Sequence, residues 1–195
     1  MLGFAYFWAK IKEMDYTTYR QLFDEILNQP NPPAPYDDAM YFNYTKLNRS
    51  RMNRWDKQLV LDDLLVSGLK QIAAPQQWII ITEPWCGDAA HIVPFLIQMA
   101  EQNQLITYDL QLRDSEPFLI EHYLTHGTRS IPKLIVRDTN GNDIFGWGPR
   151  PHGAQELMDR MRADNADFET IKIALQNWYN QDKGVSLCKE LMVYF

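Results

Sequence analysis

The stretch Trp78-Ile79-Ile80-Ile81, followed through Glu83-Pro84 by Trp85-Cys86-Gly87-Asp88-Ala89-Ala90-His91, decides how this chain folds. The unbroken apolar run reads as a strand buried on both faces, spanning Gln77 to Glu83. Cys86 to Gln102 reads as a helix with Pro94 inside it, where the missing amide predicts a kink. Cys86 therefore stands where a buried strand turns into a helix. Unpaired backbone N–H groups and the positive end of the helix dipole favour an anion there, which predicts a thiol acidified by a unit or more from about 8.5. A redox pair needs a second cysteine three residues on, and that position is Ala89. The chemistry offered is monothiol.

Outward from this point, Leu105 to Leu112 alternates as a second strand, and a helix is expected near Glu116 to Leu124. Lys133 to Trp147 reads as a β-hairpin turning at Asn140-Gly141, with Gly146 and Gly148 closing its second arm, and a helix near Gly153 to Arg162 follows. Before the strand lie three predicted helices. Tyr19, Leu22, Phe23, Ile26 and Leu27 recur at helical spacing, and the proline-rich arm Gln29 to Pro35 stops that helix. Tyr41, Tyr44, Leu47, Met52 and Trp55 mark the second helix, and Leu59 to Leu69 the third. After the core, Phe168, Ile171, Leu175 and Trp178 mark one more, ending near Lys183-Gly184.

This pattern resembles the thioredoxin superfamily. Thioredoxins carry Trp-Cys-Gly-Pro-Cys after the first central strand, a proline eight residues past the first cysteine, and later a cis-proline that opens a hairpin. Trp85-Cys86-Gly87, Pro94 and the run Arg129-Ser130-Ile131-Pro132-Lys133-Leu134-Ile135-Val136 stand in that order here. Two positions depart from the pattern: the second cysteine is Ala89, and the buried Asp that thioredoxins place six residues before the first cysteine is Ile80. The chain is most similar to a bacterial branch whose motif reads Trp-Cys-Gly-Asp. The resemblance implies a thioredoxin-like three-layer α/β/α sandwich with a central mixed sheet and extra helices at both ends. Residues 76–165 would form the thioredoxin-like domain, with residues 1–75 and 166–195 as helical extensions. It also implies that Pro132 lies against the Cys86 thiol and that the backbone of Ile131 pairs with an extended substrate.

Composition sets the outer bounds. A length of 195 residues, 46% hydrophobic and 23% charged, describes a folded globular chain and neither a disordered nor a membrane class. The formal net charge of −6 argues against a nucleic-acid partner, since Arg49, Arg51 and Arg54 are interleaved on one predicted helix and no basic cluster offsets it. Two cysteines far apart in sequence make no disulfide framework and fit a reducing compartment. The apolar run within residues 1–10 is too short to span a membrane and, as a signal peptide, lacks a basic start, so the expected location is cytoplasmic. Met14 is an alternative start.

The candidate site is Cys86 as nucleophile, with Trp85, Gly87, Asp88, Ile131 and Pro132 around the substrate. Asp88 reads first as a first-turn carboxylate favourable to the helix dipole by roughly 0.3–1 kcal/mol, although its charge opposes a thiolate. His91 falls about 140° around the helix from Cys86, which disfavours a Cys–His pair. His122 and His126 share one face of the predicted helix, with no third ligand nearby, so neither a metal nor another cofactor is expected. Cys188 would resolve Cys86 only if the C-terminal tail folded over the site. Three uses stay open: mixed-disulfide exchange with protein or low-molecular-weight thiols, peptide binding in a groove near Trp85, Ile131 and Pro132 with Cys86 incidental, and peroxide sensing through a sulfenic acid.

Overall fold

The computed structural model describes residues 14–195; the apolar run within residues 1–10 lies outside them. Three helices come first, α1 (Tyr16–Asn28), α2 (Ala39–Gln58) and α3 (Asp63–Gln71). Each starts at an aspartate whose side chain accepts a first-turn N–H: Asp15 from Thr18, Asp38 from Met40, and Asp62 from Leu64 and Leu65. Such caps satisfy donors that an isolated helix end leaves open. The central elements follow as β1 (Gln76–Thr82), α4 (Gly87–Ala100), β2 (Ile106–Leu112), β3 (Lys133–Arg137), β4 (Asp143–Trp147) and α5 (His152–Ala163). Helices α6 (Phe168–Asp182) and α7 (Val185–Met192) complete the chain.

The sheet order is β2-β1-β3-β4, with β1 parallel to β2 and antiparallel to β3, and β3 antiparallel to β4. Residues Trp78 to Thr82 are all buried, so both faces of β1 are covered, as a three-layer α/β/α sandwich requires. Helix α4 is buried along nearly its whole length and packs on β1, β2 and α2. One hydrophobic cluster runs from Tyr19 and Phe23 through the sheet to Leu187 and Leu191, joining the early and late helices to the sandwich. Among the described residues, no helix is long and apolar enough to cross a membrane.

Three sequence expectations change. The helix near Glu116 to Leu124 is only a 3-10 turn at Leu119–His122, because Phe118, just before it, adopts a left-handed conformation at φ 55°. His126 is also left-handed, at φ 49°, so His122 and His126 do not share a helix face. Cys188, expected in a tail beyond the last helix, lies on α7, which packs against α3. Helix α4 begins at Gly87 with Cys86 as its N-cap and continues through Pro94 to Ala100.

Candidate functional site

The site is built where β1 hands the chain to α4. The Cys86 N–H donates to the Glu83 carbonyl at 3.0 Å, which closes the turn through Pro84 and Trp85. From α2, buried Asn48 donates through Nδ2 to the Pro84 carbonyl at 2.9 Å and fastens the same turn. The cap of α4 is the thiol itself: Cys86 Sγ accepts from the Ala89 N–H at 3.5 Å and donates to the Ile131 carbonyl at 3.4 Å. Sulfur is a weaker acceptor than the aspartates at the other helix starts.

Cys86 is 7% exposed. Burial pushes its thiol up to about 12, and the Asp88 carboxylate adds to that, against the lowering effect of the Ala89 N–H and Arg150. The acidified thiol expected from the helix start is therefore corrected to a neutral one. Desolvation of a thiolate outweighs what the first-turn N–H groups return.

Asp88 does more than favour the dipole. Arg150 donates to its Oδ2 from Nη2 at 2.6 Å and Nε at 3.1 Å, and Tyr179 donates to Oδ1 at 2.7 Å. Burial opposes the charge of Arg150, but Asp88 holds its pKa above the ordinary value. This cluster ties the α4 start to the β4–α5 connection and to α6. Gly148, in that connection, has φ 116°, and a Cβ there would lie 2.4 Å from the Pro132 carbonyl oxygen. Only glycine lets the two segments approach this closely.

His91 is a core histidine. Trp55 Nε1–H donates to its Nδ1 at 3.0 Å, which leaves the proton on Nε2 to donate to Gln176 Oε1 at 3.1 Å. Its ring stacks on Tyr179 at 4.5 Å. Burial lowers its pKa to about 3, so it is neutral at physiological pH. Glu83 is buried too, and accepts from the Asp114 N–H at 3.0 Å. Burial pushes its carboxyl up to about 7.

Trp85, Cys86, Gly87 and Asp88 come together on the wall of a cavity of about 330 Å³. The opposite walls are α2, through Tyr41, Tyr44 and Arg51, and α6, through Phe168 and Leu175. Trp85 is fixed there edge-to-face against Tyr41, ring centroids 5.5 Å apart, with the Arg113 guanidinium 4.6 Å from its ring. Ile131 and Pro132, joined by a cis peptide bond, are buried behind the thiol and do not line this cavity. A larger depression of about 600 Å³ lies at the other end of β1, near Gln76 and Arg137, and contains no thiol. Cys188 is buried on α7 near Asp62, and both cysteines are free. Among the described residues no three of His, Cys, Asp and Glu gather as a metal would require.

Sequence reasoning missed Arg51, Arg150 and Tyr179. Arg150 lies between Pro149 and Pro151, a setting that restricts its backbone to extended conformations but does not announce its partner. Tyr179 is hidden in the apolar periodicity of α6.

The family match and one solved structure agree with this architecture. An HIV epitope-scaffold is similar at 15% identity and TM-score 0.50, over 90% of this chain and 95% of the scaffold. A Pseudomonas aeruginosa protein of unknown function is similar at 15% identity and TM-score 0.45, over 88% of this chain and 99% of its own. No curated protein matches. The family described as thioredoxin matches residues 34–162, about two-thirds of the sequence and everything from α2 to α5, and the chain belongs to that family.

Proposed function

We propose that this protein is a monothiol member of the family, of the Trp-Cys-Gly-Asp kind, in which Cys86 forms a mixed disulfide by exchange with an external disulfide. The observation that carries this reading is the position of Cys86: N-cap of α4, beside the Ile131–Pro132 bond, on the wall of a cavity. In the exchange, the Cys86 sulfur attacks one sulfur of a disulfide RSSR after losing its proton. The S–S bond breaks, and RS⁻ leaves and takes up a proton. Cys86 ends oxidised in Cys86–S–S–R, and one RSH is formed. With Ala89 in place of a second cysteine, release needs another thiol, R′SH, which yields RSSR′ and restores Cys86. A reducing, cytoplasmic setting would keep both cysteines free. In this reading residues 76–165 hold the thiol, and the helices of 1–75 and 166–195 shape the approach to it.

The test is intact-mass analysis after incubation with bis(2-hydroxyethyl) disulfide. One adduct per chain is expected, located at Cys86, persistent without added thiol and lost from Cys86→Ser. No adduct at Cys86, or an internal bond to Cys188, overturns the proposal. The burial of Cys86 and its rise to about 12 favour a second reading, in which the fold binds a partner and Cys86 is incidental. Cys86→Ser would then retain that partner.

A further inference from the structure

We propose that the cavity beside Cys86 takes a low-molecular-weight disulfide carrying a carboxylate or sulfonate, and that Arg51 recognises the anion. This rests on the exchange reading above and narrows its substrate class. A cavity of about 330 Å³ matches a small molecule and not a folded partner. Helices α2 and α6 flank the thiol and leave it 7% exposed, which keeps protein disulfides at a distance.

The charge of the lining gives the sign of the ligand. Four cations, Arg51, Arg150, Arg162 and Lys172, face the cavity against a single carboxylate, Asp88, in a chain of net charge −6. Arg150 is engaged by Asp88, and Lys172 by Glu169 at 2.8 Å. Among the described residues, Arg51 and Arg162 form no ion pair. Arg51 is also held in place. Asn48, fully buried and bonded to the Pro84 carbonyl, accepts from Arg51 Nη1 at 2.8 Å. The buried Arg51 Nε has no hydrogen-bond partner. Burial brings its pKa down to about 10, so the guanidinium stays charged at pH 7.

A guanidinium fixed by Asn48, partly desolvated and without a carboxylate partner lacks a charge-assisted bond that an oxyanion in the cavity would supply. Nη1 reaches within 3.5 Å of the Cβ position at Gly87, one residue past the thiol. An anion at Arg51 is therefore close enough for a short carbon chain to carry a sulfur to Cys86, against Trp85, Tyr41 and Leu175.

The experiment measures calorimetric binding to Cys86→Ser of three small disulfides: 3,3′-dithiodipropionate, bis(2-hydroxyethyl) disulfide and cystamine. The dianion is expected to bind about tenfold or more tightly than the neutral and dicationic compounds, and to weaken as salt rises. Adding Arg51→Gln should bring the dianion-to-neutral ratio to about one, with Arg51→Met as the second variant should the first fail to fold. Equal binding of all three, or none, overturns the anion site; if bis(2-hydroxyethyl) disulfide still modifies Cys86 of the native chain, the exchange function survives that failure. Dianion binding together with no covalent modification of native Cys86 by any of the three overturns the exchange reading and the disulfide class together.

Discussion

Replacing Asp88 by Asn should make Cys86 more reactive, although Asp88 is one of the best-bonded side chains at the site. The Asp88 carboxylate and Arg150 are each 12% exposed in their side chains, so their charges act through partly desolvated surroundings. At a separation of roughly 6–8 Å and an effective dielectric near 20, one charge shifts a thiolate by about 2–3 kcal/mol, or roughly 1.5–2 pKa units. Asn keeps one oxygen to accept from Arg150 and turns its NH2 to the Tyr179 hydroxyl, which then accepts, so the charge is removed and the Arg150 cation is left to favour the thiolate. Cys86 should move down from about 12 by that amount. The thiolate fraction at pH 8 then rises about 30–100-fold, and the accompanying loss of nucleophilicity reduces the gain in rate to about tenfold. The assay is the rate of mixed-disulfide formation with bis(2-hydroxyethyl) disulfide, followed by mass spectrometry with buried Cys188 as internal control and near-UV circular dichroism to check the fold. A folded Asp88→Asn protein that reacts no faster than the parent refutes the assignment of Asp88 as a brake on Cys86.

His91, neutral with a folded pKa near 3 against about 6.5 unfolded, contributes stability that is present above pH 6.5 and lost as pH falls towards 3. By pH 5 the loss is about 2 kcal/mol, and urea titrations of His91→Gln should lack this slope; an unchanged slope would contradict it. Glu83 runs the other way. Its folded pKa of about 7 lies above the usual value near 4.5, so its contribution is greatest below pH 4.5 and is lost as pH rises through 7. Glu83→Gln should be more stable than the parent at pH 8 by up to about 3 kcal/mol and equal to it at pH 4.5. Gly148→Ala should cost about 3 kcal/mol, because it meets both a φ of 116° and the Pro132 oxygen, and should lower Tm by roughly 6–12 °C. Gly141→Ala, at φ 81° with nothing within 4 Å of its Cβ, should cost only about 1–2 kcal/mol; equal losses would show that the close approach at Pro132 does not matter.

The central fold was legible because its signals are local. Four apolar residues in a row required a strand covered on both faces, and Asn140-Gly141 supplied the turn of the hairpin. The 3-10 turn at Leu119–His122 was not legible, since nothing in the composition of Glu116 to Leu124 announces a left-handed Phe118. Helix α7 was missed because eight residues near the chain end carry too little periodicity to stand out. Within the site, the sequence marked Cys86 and Asp88 but not their electrostatics. A helix start argues for a low thiol pKa, and that argument holds only while water or a cation replaces the solvation lost on folding. Which term wins depends on how deeply α2 and α6 bury the sulfur, and on Arg150 and Tyr179, which are 62 and 91 residues from Asp88 in sequence.

Helices α2 and α6 thus set what kind of thiol this strand-to-helix corner presents. Residues of α2 and α6 wall the cavity beside Trp85, Cys86 and Gly87, and each wall removes water that would solvate an anionic sulfur. Asn48 pins the turn from one side, and Tyr179 holds Asp88 from the other. The same packing that suppresses the thiolate creates the cavity and strands Arg51 inside it without a carboxylate partner. Reactivity and selectivity are consequently linked: any change that opens the α2–α6 roof should lower the Cys86 pKa and weaken charge discrimination among small disulfides together. The Tyr44→Ala and Phe168→Ala variants, which trim the α2 and α6 walls and keep both the thiol and Arg51 in the chain, should move both quantities in that direction. Faster labelling with unchanged charge preference would separate the two effects and show that the roof governs solvation alone.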